Sequence, residues 1–209
     1  MVSAPQAANQ NQSRILVIAC GALAREIQTL KSLNEWQHVE LTCLDAELHN
    51  RPDQIVPKLR EKLASCRDEY EHIFVGYADC GTGGALDRLL EEENIPRLPG
   101  AHCYAFYTGQ EEFADMAEAE LGTFYLTDFL ARHFDRLIVS GMGLDRHPEI
   151  RDMMFSHYRR VVYLSQRVDP ELMERAEKAA AYLDLPLEHR HTGYGELESS
   201  LREQVIAVA

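Results

Sequence analysis

The chain has 209 residues, of which 45% are apolar, and its formal net charge is −13 at pH 7 with a pI near 5.1. This length is sufficient for a full hydrophobic core and predicts a single domain over residues 14–209. The acidic surface repels phosphate backbones and anionic lipids, so nucleic acid and membranes are excluded as expected partners.

Residues 1–13 are small and polar, without the basic start and apolar stretch of a signal peptide. We therefore predict a disordered lead-in and a cytoplasmic protein. The five cysteines are an odd count, and a reducing compartment disfavours structural disulfides. Free thiols then need another explanation, which is burial, metal binding or chemistry.

The first half of the chain alternates between strand-like and helix-like segments. RILVIAC at 14–20 is β-branched and apolar on both faces, which is typical of a central parallel strand. Leu23, Ile27 and Leu30 follow at helical spacing. The alternation continues with strands predicted at 39–48, 72–78 and 95–100 and helices at 51–70 and 84–94.

The middle of the chain, about residues 104–158, has apolar residues three or four apart and predicts a helical layer inserted into the sheet protein. The pattern then returns to strands at 160–166 and 186–192 and helices at 169–185 and 195–208, with Asp169 as an N-cap. Together these segments predict an α/β fold: a doubly wound, mostly parallel sheet with helices on both faces and a helical insertion.

Cysteines follow three of the predicted strands. Cys20 ends the first, Cys80 follows the third, and His102 and Cys103 follow the fourth. Ligands of open parallel sheets bind beyond the carboxyl ends of the strands, so these side chains are expected at one pocket.

Three thiolates and an imidazole form a ligand set for tetrahedral Zn²⁺, and sulfur ligands also suit an iron centre or Cu(I). The alternative for each cysteine is burial as a small apolar residue. The other two, Cys43 within a strand and Cys66 on a helix, are interpreted as packing or surface residues.

The sequence ADCGTGG at 78–84 places Gly81, Gly83 and Gly84 between a strand and a helix. Their backbone N–H groups could bind an anionic cofactor, although neither the dinucleotide fingerprint nor the P-loop is present. The favoured interpretation is a tight turn that lets the backbone approach the Cys80 site. Asp79 is predicted to orient a ligand or act as a base, and the alternative is a solvated carboxylate.

Several other polar and aromatic side chains also need an interpretation. Tyr125 is a candidate catalytic residue, although aromatic residues at helical spacing, including Tyr104 and Tyr107, are more often core. We expect Glu26 on a helix surface in a salt bridge. His189 and His191 alternate along a strand and share one face, where surface histidines are expected.

The motifs ACGALAREI (19–27), GYADCGTGG (76–84), PGAHC (99–103) and TFYLT (123–127) resemble the domain of unknown function 1638 family over about residues 14–205. The resemblance implies a place beside corrinoid-dependent methyltransferase systems, and hence one-carbon or methyl-transfer metabolism. Zinc bound by cysteine and histidine can activate a thiol for methyl transfer by lowering its pKa.

Three functions follow from these observations. The first is a metal-dependent α/β enzyme that acts on a small-molecule substrate, with Zn²⁺ or an iron centre at Cys20, Cys80, Cys103 and His102. The second is a metal-free enzyme with Cys80 as nucleophile and Asp79 or His102 as base. The third is a non-catalytic protein that delivers a metal or cofactor to a methyltransferase partner. The apolar helices at 120–160 are also compatible with a homo-oligomer.

Overall fold

Parallel strands arranged in two sheets form the frame of the protein. The computed structural model describes residues 14–207, so the lead-in predicted at 1–13 lies outside the described residues. The first sheet has the order β2-β1-β3 and the second the order β4-β5-β6. Their strands are β1 (Ile15–Cys20), β2 (Val39–Leu44), β3 (His72–Gly76), β4 (Thr123–Thr127), β5 (Arg160–Ser165) and β6 (Leu187–His191).

All four strand pairings are parallel, which confirms the α/β class. In the first sheet Ile15 on β1 lies between Val39 and His72. In the second, Val161 on β5 pairs with Phe124 and Leu187. The central strands are buried because helices cover both of their faces, as the apolar runs of the sequence predict.

Helices connect the strands and also close the chain. They are α1 (Ala24–Leu33), α2 (Ile55–Cys66), α3 (Ala85–Glu93), α4 (Ala105–Thr108), α5 (Gln110–Ala119), α6 (Asp128–Phe134), α7 (Arg151–Phe155), α8 (Pro170–Leu183) and α9 (Gly195–Ile206). The N-cap predicted for α8 is confirmed, because the Asp169 carboxylate accepts hydrogen bonds from the backbone N–H groups of Glu171 (3.1 Å) and Leu172 (3.3 Å). Within residues 14–207 no helix has the length and apolar character needed to cross a membrane.

Each sheet has its own hydrophobic core. The first core is centred on β1 and includes Ile18 and Leu30, whereas the second includes Leu126 and Tyr163. The last helix, α9, follows a strand of the second sheet but buries Leu197 in the first core. The chain therefore passes from the first core to the second before β4, and it returns to the first core with α9. The prediction of one domain stays a prediction.

The predicted helical layer at 104–158 was wrong at residues 123–127, which form β4. TFYLT contains β-branched and aromatic residues, which favour a pleated, half-buried strand. Its apolar positions also fit helical spacing, and periodicity does not distinguish the two over so short a run. The rest of the segment is largely helical, with α4, α5, α6, α7 and a π-helical stretch at Asp135–Ser140.

The prediction of one continuous sheet was also wrong. The segment expected as a fourth strand makes a single parallel bridge between Val75 and Arg97. Two hydrogen bonds, from the Val75 N–H to Pro96 (2.9 Å) and from the Leu98 N–H to Val75 (3.0 Å), occupy the outer edge of β3 there. Because that edge is covered, later strands do not extend the first sheet, and they pair among themselves instead.

Candidate functional site

A cavity of about 360 Å³ lies between the carboxyl edge of the first sheet and the strand β4. Cys20, Cys80, His102 and Cys103 all line it, so the structure brings the four predicted ligands to the wall of one cavity. Tyr125 of β4 lines the opposite side. These side chains follow the carboxyl ends of parallel strands, which lie at one edge of the sheet. They therefore meet at one cavity although they are far apart along the chain.

The loops that carry Cys80 and Cys103 are held together by backbone hydrogen bonds. The Asp79 N–H donates to the Gly100 carbonyl (3.0 Å), and the Cys80 N–H donates to the Ala101 carbonyl (2.9 Å). This pairing extends the edge of the sheet beyond β3 and places the two cysteines next to each other.

Among the three cysteines of the cavity, Cys80 has a lowered pKa, whereas Cys20 and Cys103 have raised ones. A hydrogen bond with the Cys103 thiol and a smaller effect of His49 together hold the pKa of Cys80 well below its usual range, against the opposing effect of burial. The pKa of Cys103 is raised well above its usual range by the same bond and by burial. Cys80 is therefore a thiolate at neutral pH, while Cys103 keeps its proton.

The backbone of Cys80 has a left-handed conformation, with φ +49°. A residue with a Cβ in this region costs about 1 kcal/mol or more, and such strain concentrates at functional sites. The side chain itself is only 7% exposed. The surrounding fold thus holds this thiolate in an unfavourable conformation against the cavity.

His49 is a further residue of the cavity wall, and it was not among the residues predicted from the sequence. It lies on the short helical turn Ala46–Asn50 after β2, where the Asp45 carboxylate accepts a hydrogen bond from the Glu47 N–H (2.9 Å). The Asn50 side chain donates to the Leu137 carbonyl of the second half (3.2 Å), which fixes the turn over the cavity. Because this turn follows a strand at the same edge, the rule applied to the cysteines would also have identified His49.

Cys20 differs from Cys80 although the two share the cavity. Burial raises the pKa of Cys20 to about 11, partly offset by a hydrogen bond from the Ala22 N–H. Cys20 is therefore a neutral thiol at physiological pH. Of the remaining cysteines, Cys43 is exposed on β2 and Cys66 is buried on α2, as the sequence predicted.

Asp79 stabilises the turn that leads from β3 to α3. Its carboxylate accepts hydrogen bonds from the Thr82 hydroxyl (2.6 Å) and the Gly84 N–H (2.8 Å), and from the Gly83 N–H (3.2 Å). Burial acts to raise the pKa of Asp79, but these bonds and one from Gly81 lower it below its usual value. The catalytic role of Asp79 stays a prediction.

The same contacts determine what the glycines can bind. Gly81, Gly83 and Gly84 have φ of +84°, +61° and +75°, as the tight-turn interpretation requires. Their N–H groups point to an internal carboxylate, so an anionic cofactor would have to compete with Asp79. Cofactor binding by these glycines stays a prediction.

Two hydroxyl groups in the cavity wall are buried without a hydrogen-bond partner within residues 14–207, those of Tyr77 and Tyr125. Burial raises the pKa of both, and each is a neutral phenol. The His102 ring is exposed at the edge of the cavity, near the rings of Tyr104 and Phe113. The catalytic role of Tyr125 and the ligand role of His102 stay predictions.

The cavity contrasts with the charged surface of the protein. Its described lining contains cysteines, histidines, aliphatic side chains and seven Phe or Tyr rings, but no Asp, Glu, Lys or Arg. Apolar walls exclude water and strengthen the interactions of a charge inside. The Cys80 thiolate is thus the only anionic side chain in this described lining.

The described side chains do not form a ready metal site. Among residues 14–207 no group of three or more His, Cys, Asp or Glu side chains is placed to hold a metal ion. The three thiols share a cavity, but their arrangement is that of a hydrogen-bonded pair and a separate neutral thiol. Metal binding at Cys20, Cys80, Cys103 and His102 therefore needs a rearrangement of these side chains.

The carboxyl group of Glu26 lies outside the cavity. Glu26 is 3% exposed and its Oε2 has no hydrogen-bond partner in the described part of the chain, so the expected surface salt bridge was wrong. Leu23, Ile27 and Leu30 define the buried stripe of α1, and Glu26 faces inward beside them, where it lies within electrostatic range of Asp128.

His189 and His191 are exposed on the same face of β6, as predicted. The structure adds that both rings contact the buried Ser165 hydroxyl, through His189 Nε2 (2.9 Å) and His191 Nδ1 (3.0 Å). Ser165 ends β5 and does not line the cavity.

Comparisons with known proteins give a family but no activity. A family model described as "Protein of unknown function (DUF1638)" matches residues 43–201, and no curated protein matches the chain. Among solved structures, ornithine carbamoyltransferase from Pyrococcus furiosus matches with 11% identity and a TM-score of 0.25. The alignment covers 86% of this chain and 55% of that one, and a TM-score this low indicates neither a shared architecture nor a shared function.

Proposed function

We propose that this chain, which belongs to the DUF1638 family, is a thiol-dependent group-transfer enzyme in which Cys80 is the nucleophile. One observation carries the proposal: Cys80, held beside Cys103 by paired loops, lines a cavity whose described lining has no Asp, Glu, Lys or Arg. A low-pKa thiolate in a partly enclosed cavity is the form of cysteine that attacks electrophiles.

The chemistry that suits this cavity is transfer of an alkyl group to sulfur. The thiolate attacks an electrophilic carbon of a small-molecule substrate, the S–C bond forms, and the leaving group departs with the electron pair of the bond that breaks. Methyl transfer, which the family resemblance implies, is the simplest case. Apolar walls favour this step, because a poorly solvated thiolate is more reactive than a hydrated one.

Other residues of the site have supporting roles in this proposal. The Cys103 proton holds the thiolate in place, and His49 adds a second interaction with it. Asp79 fixes the turn that carries Cys80, through its bonds to Thr82 and Gly84. The substrate would contact Tyr125 and His102, which line the cavity.

Methylation by methyl 4-nitrobenzenesulfonate, a generic methyl donor, tests the proposal. At pH 6 the reagent should methylate Cys80 about tenfold faster than Cys43, since the larger thiolate fraction of Cys80 outweighs its lower intrinsic nucleophilicity. Peptide mass spectrometry identifies the modified cysteine. Cys80→Ser should abolish the fast phase and Cys43→Ser should preserve it. Equal rates at the two cysteines would contradict the proposal.

A second candidate is the predicted metal-dependent enzyme, with Zn²⁺ or an iron centre bound by Cys20, Cys80 and Cys103, and by His102 or His49. It is supported by the convergence of three thiols on one cavity and by the preference of Zn²⁺ for sulfur and imidazole ligands. Metal analysis of protein purified without chelator tests it. One metal per chain that is lost in Cys20→Ser would favour it, whereas substoichiometric metal with three freely titrating thiols would refute it. Delivery to a methyltransferase partner and homo-oligomer formation stay predictions.

A further inference from the structure

Cys80 and Cys103 lie on two loops that backbone hydrogen bonds join to each other. The Asp79 N–H donates to the Gly100 carbonyl (3.0 Å) and the Cys80 N–H donates to the Ala101 carbonyl (2.9 Å), so the proximity of the two cysteines is built into the backbone. Both sulfurs face the same cavity, which has room for several water-sized molecules.

The other thiols are placed differently. The Cys66 thiol on α2 donates to the Lys62 carbonyl (3.0 Å), and Cys43 is exposed on β2. Neither lines the cavity. Cys20 does line it, but it lies on β1 beside Tyr77 rather than in the paired loops of Cys80 and Cys103.

We propose that Cys80 and Cys103 are a modification site for hydroperoxides, at which the two thiols are oxidised to a reversible disulfide. This inference deepens the proposed function and rests on it in one respect, because it also takes Cys80 as the reactive thiol. A reactive cysteine with a second thiol in contact is the arrangement found in peroxide-sensing proteins.

The oxidation has two steps. The Cys80 thiolate attacks one oxygen of hydrogen peroxide, the O–O bond breaks, and the released hydroxide takes a proton to become water. Cys80 is then a sulfenic acid, oxidised by two electrons that have reduced the peroxide. The Cys103 sulfur attacks the Cys80 sulfur, the S–O bond breaks, and hydroxide leaves with the Cys103 proton as a second water.

The consequence for the site is loss of its nucleophile. A Cys80–Cys103 disulfide has no thiolate, and the proton that Cys103 donates to Cys80 is gone. A thiol reductant would restore both. Peroxide would therefore switch the site off and reduction would switch it on again.

The test is oxidation of the reduced full-length chain by hydrogen peroxide, followed by peptide mapping without reduction. We expect one linkage, between Cys80 and Cys103, and loss of two of the five titratable thiols. Methylation of Cys80 should fall more than about tenfold and recover with dithiothreitol. In Cys103→Ser the disulfide should be absent, and dimedone should trap a sulfenic acid at Cys80, whereas Cys43→Ser should behave like wild type.

A linkage through Cys20, a disulfide between two chains, or retention of all five thiols would overturn the inference. The methylation assay on the reduced protein separates this failure from that of the proposed function. If Cys80 is methylated rapidly but peroxide forms no Cys80–Cys103 bond, only the modification site is refuted. If Cys80 reacts with neither reagent, both proposals are refuted.

Discussion

The Cys80 N–H donates a hydrogen bond to the Ala101 carbonyl (2.9 Å), and this bond holds the loop of Cys80 against the loop of Cys103. The arrangement depends on two loops that leave the same edge of the first sheet and are joined by backbone hydrogen bonds. A thiolate is stabilised in an apolar cavity only if donors compensate for its lost hydration. The reactivity proposed for Cys80 therefore depends on the backbone hydrogen bonds that join its loop to the loop of Cys103.

Replacing Cys103 by alanine should raise the pKa of Cys80. The change removes the donor that favours the thiolate, while the burial that opposes it remains, and a shift of about one unit or more is expected. The pH dependence of Cys80 alkylation measures it. Cys43→Ala should leave the midpoint unchanged, and an unchanged midpoint in Cys103→Ala would show that the thiol pair does not control the acidity of Cys80.

His49→Gln should also raise the pKa of Cys80, by less than the Cys103 substitution. His49 acts on the thiolate through a hydrogen bond and its charge, after the larger effect of Cys103. The same alkylation profile measures the shift. His147→Gln is a matched control, because His147 is exposed on another loop beside Glu149. A shift in the control as large as in His49→Gln would argue against a direct contact.

Asp79→Ala should destabilise the protein by about 1–3 kcal/mol, since it leaves the donors of Thr82 and Gly84 without an acceptor. Asp79→Asn should cost less because one side-chain oxygen remains as acceptor. Urea unfolding measures both, with Asp115→Ala at an exposed position of α5 as the control. If Asp79→Asn abolishes methylation while the protein remains as stable as wild type, Asp79 is a base rather than a structural residue.

Glu26→Gln should stabilise the protein more at pH 8 than at pH 5. Burial, together with Asp128, raises the pKa of Glu26 in the folded state above its value of 4.5 in the unfolded chain. The wild type therefore loses stability as pH rises above about 4.5, because the folded state resists ionisation of the carboxyl. Glutamine does not ionise, so the difference in unfolding free energy between the variant and the wild type should grow as the pH rises over this range. Glu177→Gln, exposed on α8, is the control, and a pH-independent difference would contradict the assignment.

Much of the fold could be predicted from local sequence. The apolar runs at β1, β3 and β5 predict buried parallel strands, and Asp169 predicts the start of α8. Which strands pair was not predictable in the same way, since pairing depends on whether an edge is free. The short bridge at Arg97 covers the edge of β3 and divides the strands into two sheets. The strand β4 was missed because a run of five residues fits both periods.

The sequence also predicted that one cavity is lined by Cys20, Cys80 and Cys103, because ligands of open parallel sheets bind beyond the carboxyl ends of the strands. The acidities of these thiols did not follow, because they depend on the contact between Cys80 and Cys103 and on burial in the cavity. The inward orientation of Glu26 was missed for a similar reason. A helix pattern predicts which face is apolar but not which polar residue the packing traps within it.

A pH titration of the Cys80 thiolate, followed as the difference in ultraviolet absorbance between wild type and Cys80→Ser, tests the proposed nucleophile. We expect a midpoint well below 9, the ordinary value for a thiol, because Cys103 and His49 favour the thiolate. A midpoint at or above the ordinary value of 9 would contradict the proposal, because Cys80 would then be an inert buried thiol.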